Sequence, residues 1–124
     1  MGVSFFKAAD LDRNIKCTIH KSGKLGFTDS AIKKLNIEVN RYIKLGKGDD
    51  EKDSTDLYMA VQPNEDEFSF KASKAGVYYY INTKVLFDML NIDYKKNTII
   101  YDIIKIEEEG KTMYKLKRRE KERK

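Results

Sequence analysis

The chain has 124 residues, a formal charge of +5, and 40% hydrophobic against 36% charged residues, a balance that predicts one compact folded domain and excludes a chain disordered throughout. No apolar run approaches the ~18 residues needed to span a bilayer. The single cysteine, Cys17, rules out an internal disulfide and a thiolate metal cage. "MGVSFFKAADLDR" lacks the basic start and apolar stretch of a signal peptide, and Phe6 stands where N-myristoylation of Gly2 needs Ser or Thr. The expected compartment is therefore the cytoplasm, with no membrane partner.

Residues 1–14 form an N-terminal extension whose Phe5 and Phe6 either pack on the body of the fold or serve as an interaction point. In "IKCTIHK", Ile15, Cys17 and Ile19 alternate with Lys16, Thr18 and His20, the period of a half-buried strand. "SGK" is a tight turn in which Gly23 can take positive φ, and "LGFT" returns as a second strand. Thr28, Asp29 and Ser30 are all suitable caps for a short helix with Ala31, Ile32 and Leu35 on one side and Lys33 and Lys34 outside. Ile37 closes that helix, and Asn40 is a residue that tolerates a left-handed turn. "RYIKLG" and "LYMAVQ" follow as strands around the acidic loop 49–56, and Pro63 ends the second of them.

A second pass of the same order begins at "EFSFKAS", with Phe68, Phe70 and Ala72 alternating against Ser69, Lys71 and Ser73. "KAG" turns into the strand "VYYYI", Asn82 or Thr83 caps the helix "KVLFDMLN", and "NTIIYDIIKIE", apolar on both faces, predicts a central covered strand. "EEGK" turns it into the last strand "TMYKLK". Leu35-Asn36-Ile37 is thus echoed by Leu90-Asn91-Ile92, and each half reads strand, strand, short helix, strand, strand. The expected organisation is a first unit at 15–64, a second at 65–118 and a basic tail at 119–124, extending as a solvated helix or staying mobile, all within one domain.

Catalysis has little to work with. Cys17 and His20 lie three apart on one strand and point to opposite faces, which suits a core thiol and an exposed imidazole better than a nucleophile–base pair. The acidic loop lacks the glycine and terminal glutamate of an EF-hand, so a solvated loop is expected there, and no cofactor is implied. Charge is unevenly spread: from Arg13 to Lys47 nine basic residues face only Asp29 and Glu38. Lys21 and Lys24 flank the first turn, Lys33 and Lys34 the first helix, and Arg41 and Lys44 the following strand, a set that reads either as scattered solubilising charges or as a phosphate-contacting face with Arg41 as its guanidinium for bidentate base contact. Tyr78, Tyr79 and Tyr80 are a second option, able to stack unpaired bases beside Lys71, Lys74 and Lys84.

The run "HKSGKLGFTDSAIKKLNIEVNRYIKL", with Gly23-Lys24, Phe27-Thr28, the lysine-bearing helix and Leu35-Asn36-Ile37, resembles the AbrB-like swapped-hairpin family (SpoVT/AbrB type) of bacterial DNA-binding domains, which includes transition-state regulators and antitoxins. Thr28 stands where that family has Pro, Asn40-Arg41 where it has Gly-Asp, and the second helix has Asp88 in place of a basic pair. The resemblance implies two intertwined units in one small barrel. In a tandem chain that becomes a mainly β, single-chain pseudo-two-fold β-barrel with short helices, AbrB-like or of the cradle-loop or double-psi type. It further implies a non-enzymatic DNA-binding regulator of transcription, monomer or homodimer, contacting DNA rather than RNA through Lys21, Lys24, Lys33, Lys34, Arg41 and Lys44. The alternative is a protein-interaction or assembly module on the same barrel, holding a protein partner and no nucleic acid.

Overall fold

A computed structural model describes residues 2–6, 8, 14–50 and 54–122. Strand β1 (Lys16–Ile19) turns Cys17 and Ile19 inward, and β2 (Leu25–Phe27) returns with Leu25 and Phe27 buried. Between them Gly23 takes φ +87°, its N–H donating to the His20 carbonyl at 2.8 Å while His20 N–H donates to the Lys24 carbonyl at 2.9 Å. Helix α1 (Asp29–Leu35) starts where the Ala31 N–H reaches Thr28 Oγ1 at 3.3 Å and buries Ala31 and Leu35. Strands β3 (Tyr42–Gly46), β4 (Leu57–Gln62), β5 (Phe70–Lys71), β6 (Ser73–Ala75) and β7 (Tyr78–Ile81) follow, then α2 (Lys84–Met89) and the long hairpin β8 (Asn97–Glu108) and β9 (Lys111–Glu122). Glu109 and Gly110, both at positive φ, make the tight turn between the last two strands.

All nine strands join in one antiparallel sheet in the order β5-β3-β4-β9-β8-β1-β2-β7-β6. Its two outermost strands, β5 and β6, are successive segments of one extended stretch broken at Ala72, so the sheet curls into a nearly closed barrel. Exchanging β1 with β6, β2 with β7, β3 with β8 and β4 with β9 reproduces the same set of neighbours, with β5 and β6 counted as one strand. Each hairpin of one half lies between strands of the other: β1–β2 between β8 and β7, and β3–β4 between β9 and β5. Inward side chains from both halves, among them Ile19, Leu25, Ile43, Met59, Ile81, Ile99, Tyr101 and Leu116, fill a single core. Neither half can bury its apolar face alone.

The Leu-Asn-Ile echo is a matched pair of helix ends. Asn36 and Asn91 both take left-handed backbone, φ 49° and 57°, which asparagine tolerates better than most side chains. Ile37 N–H donates to the Ile32 carbonyl at 3.0 Å and Ile92 N–H to the Phe87 carbonyl at 3.1 Å, while Asn36 and Asn91 donate to Lys33 and Asp88. Thr28 and Thr83 open the two helices at the same spacing from these caps, so Thr83 rather than Asn82 is the cap of α2.

Some expectations are corrected. The left-handed residue after α1 is Asn36; Asn40 instead donates from Nδ2 to the Leu35 carbonyl at 3.1 Å. The strand expected from Phe68 starts only at Phe70, because Asp66 and Ser69 tie the preceding backbone into a turn: Phe68 N–H donates to Asp66 Oδ1 at 2.9 Å and Asp66 N–H to Ser69 Oγ at 3.1 Å. Phe68 is left exposed. Glu108 belongs to β8 rather than to the turn, and the tail from Arg119 is extended strand through Glu122, pairing with Asn97–Ile100. β8 is central, as expected, but alternates between buried Ile99, Tyr101 and Ile103 and half-buried outward residues. Of the acidic loop, residues 51–53 lie outside the described residues, as do 123–124 of the basic tail and 1, 7 and 9–13 of the N-terminal extension.

Candidate nucleic-acid interface

The six basic residues singled out from the sequence fall into separate groups. Lys21 and Lys24 sit at the β1–β2 turn, which rests on the second half: Thr83 Oγ1 donates to the Gly23 carbonyl at 2.9 Å, and a Cβ on Gly23 would lie 2.7 Å from Lys84 Cβ. Lys24 reaches over the Tyr80 ring, its Nζ 4.6 Å from the centroid. Lys33 and Lys34 are exposed on the last turn of α1. Arg41 is half-buried; its Nε donates to the Glu38 carbonyl at 3.2 Å, and its guanidinium lies 5.3 Å from the centroid of the buried Tyr79 ring, with Lys74 Nζ at 5.7 Å. Lys44, on β3, forms an ion pair with Asp66 at 3.4 Å. β3 is separated from β2 by β7 and the β5–β6 stretch, so Lys44 does not neighbour Lys24.

Charge is consumed differently in the two helices. In α2, Lys84 Nζ donates to Asp88 Oδ2 at 2.6 Å and the Tyr94 hydroxyl to Asp88 Oδ1 at 2.6 Å. The lysine hydrogen bond first, and the tyrosine bond after it, hold the Asp88 carboxyl below the ordinary carboxylate range. Among the described residues, Lys21, Lys24, Lys33 and Lys34 take part in no ion pair.

The tyrosine run splits by strand alternation. Tyr79 points into the core, whereas Tyr78 and Tyr80 lie on the outer surface with ring centroids 6.1 Å apart and an interplanar angle of 26°. The Tyr78 hydroxyl is hydrogen-bonded to His20 Nε2, and a Cβ on Gly26 would overlap that hydroxyl, so the missing side chain is what lets the ring cross β2. Lys24 and His20 are therefore the polar neighbours of these tyrosines, where the sequence pointed to Lys71, Lys74 and Lys84. Lys16 lies on the same surface, and so do Lys117 and Arg119, the latter in an ion pair with Asp102 at 2.8 Å. The alternation in "KCTIHK" and "VYYYI" carries the outward signal for each strand. Their juxtaposition depends on β2 pairing with β7 across the two halves.

Cys17 is fully buried, and that burial, followed by the nearby Asp102 charge, pushes its thiol up. Burial likewise pushes the Tyr101 hydroxyl up to about 12. Both are core groups rather than nucleophiles. No set of metal ligands is gathered among the described residues. An open groove of about 680 Å³ lies between β3, β4 and the tip of the β8–β9 hairpin, lined in part by Leu45, Tyr58, Met59, Phe68 and Met113. No helix among the described residues is long and apolar enough to cross a membrane.

No family model, curated protein or solved structure matches this chain.

Proposed function

We propose that the chain is a non-enzymatic, cytoplasmic nucleic-acid-binding protein that acts on DNA as a regulator and is built as an AbrB-like tandem barrel. The interleaved, two-fold strand order supports the fold reading, because intertwined hairpins are what the swapped-hairpin resemblance implies. One observation carries the function: among the described residues the lysines of the first turn and helix take part in no ion pair, while Lys84 and Asp88 of the second helix pair with each other. Free cations beside a hydrogen-bonded turn suit phosphate contacts, and such contacts release counterions. A fluorescence-anisotropy titration with duplex DNA at two salt concentrations tests this. Affinity should fall by about 0.9 log unit per log unit of salt for each phosphate neutralised. Salt-independent binding, or none at low salt, contradicts it.

A second reading, an assembly module, is favoured by Phe5 and Phe6, each 89% exposed, and by the apolar lining of the groove beside β4. Capture of a protein partner that survives nuclease treatment, and is lost when Phe5 and Phe6 are replaced by Ser, would support it over DNA binding.

A further inference from the structure

We infer that the outward face of β7, β2, β1, β8 and β9 is a stacking platform for single-stranded DNA; this rests on the nucleic-acid reading above and adds a single-strand site to it. The register defines the platform. One row of directly paired residues runs Tyr80, Gly26, Thr18, Ile100, Arg119, and the next carries Lys16, Asp102 and Lys117. At about 4.8 Å per strand the first row is roughly 19 Å across. Its aromatic end is the Tyr78–Tyr80 pair, with the Tyr78 ring extending over Gly26 to His20, its middle carries the small Thr18, and its far end is cationic.

This sequence of surfaces fits an unpaired strand. Tyrosine faces accept bases whose own faces are free, as they are not within a duplex, and the flanking Lys16, Lys24 and Lys117 suit phosphates. The Lys24 contact with Tyr80 is a weak, solvent-accessible cation–π interaction that a base can displace, freeing the ammonium for the backbone. Asp102 does not oppose a polyanion with its full charge, because Arg119 neutralises it at 2.8 Å. The hydroxyls of Tyr78 and Thr28, which would otherwise be placed to read a ribose 2′-OH, are engaged by His20 and by the Asn14 and Lys16 backbone. The hydroxyls of Thr18 and Tyr80 stay on the platform beside the stacking faces and the cations, so the choice of DNA follows from the reading above.

The chain contains eight tyrosines and no tryptophan, so quenching of tyrosine emission reads stacking directly. Titration with oligo-dT should quench that emission. Tyr80→Leu should weaken oligo-dT binding by about tenfold and Tyr80→Phe by much less, since the aromatic face is retained. Thermal unfolding checks that the variants fold. Should Tyr80→Leu fail to fold, Lys16→Glu with Lys117→Glu on the same face must weaken oligo-dT binding instead. Unchanged oligo-dT affinity in the folded variants, or tighter binding of oligo-rU than of oligo-dT, overturns the inference. Salt-dependent duplex binding without oligo-dT binding overturns it while leaving the reading above intact; absence of both at low salt defeats the two together.

Discussion

The two helical segments are built on one backbone plan and spend their charge in opposite ways. Both begin at a threonine, end in a left-handed asparagine and close with an isoleucine N–H bonded back across the last turn. In α1 the positions corresponding to Lys84 and Asp88 are Asp29 and Lys33, so the charge order is reversed. Among the described residues the second pair forms an ion pair and the first does not, with Tyr94 as an additional donor to Asp88. The turns differ in a related way: Gly23 is buried against the start of α2, whereas Gly76 is exposed and has open space around it. A shared frame fixes where side chains stand. Their identity then decides whether a unit's charges pair with each other or, among the described residues, take part in no ion pair.

The largest expected effect comes from separating the halves. A fragment of residues 15–64 should form no folded monomer, because both its hairpins need neighbours from the other half. Circular dichroism with sedimentation would show an unfolded chain or a self-associated one; a folded monomer would break the interleaved account. Next is the contrast between turns. Gly76→Ala should cost about 1–2 kcal/mol, the strain of positive φ alone. Gly23→Ala should cost at least ~1 kcal/mol more, since its Cβ also meets Lys84. Equal losses in denaturant melts would remove the asymmetry.

A smaller effect tests the likeness of the helix ends: Asn36→Ala and Asn91→Ala should destabilise by similar amounts, about 1 kcal/mol each, with glycine tolerated at both. The smallest concerns pH. Asp88 has its carboxyl pKa depressed in the fold, so its contribution is present above the ordinary carboxylate range and is lost as pH falls through the lowered value. Asp88→Asn should therefore reduce the loss of melting temperature on acidification, and Lys33→Gln should not.

Most of the architecture was legible because its signals are local. Alternation placed the strand faces, the glycines marked the turns, and the repeated Leu-Asn-Ile pointed to a duplicated helix end. What was missed depends on distant partners or on side chains competing with the ladder. Asp66 and Ser69 divert the chain before Phe70, and β8 supplies a partner that keeps the charged run from Arg119 to Glu122 extended. The candidate surface was legible only in pieces. Lys24 and Tyr80 are far apart in the chain and meet because β2 pairs with β7, while Lys44 is drawn away on β3 and paired with Asp66.

The most direct test of the central claim, that the first unit's free cations bind nucleic acid while the second unit's charges hold the fold, is a charge-reversal comparison. Duplex affinity would be measured at low salt for Lys33→Glu with Lys34→Glu, and for Lys95→Glu with Lys96→Glu, which are likewise exposed. The account predicts a severalfold or larger loss for the first pair, with a shallower salt dependence, and a much smaller change for the second. Equal losses would reduce binding to net charge and contradict the assignment.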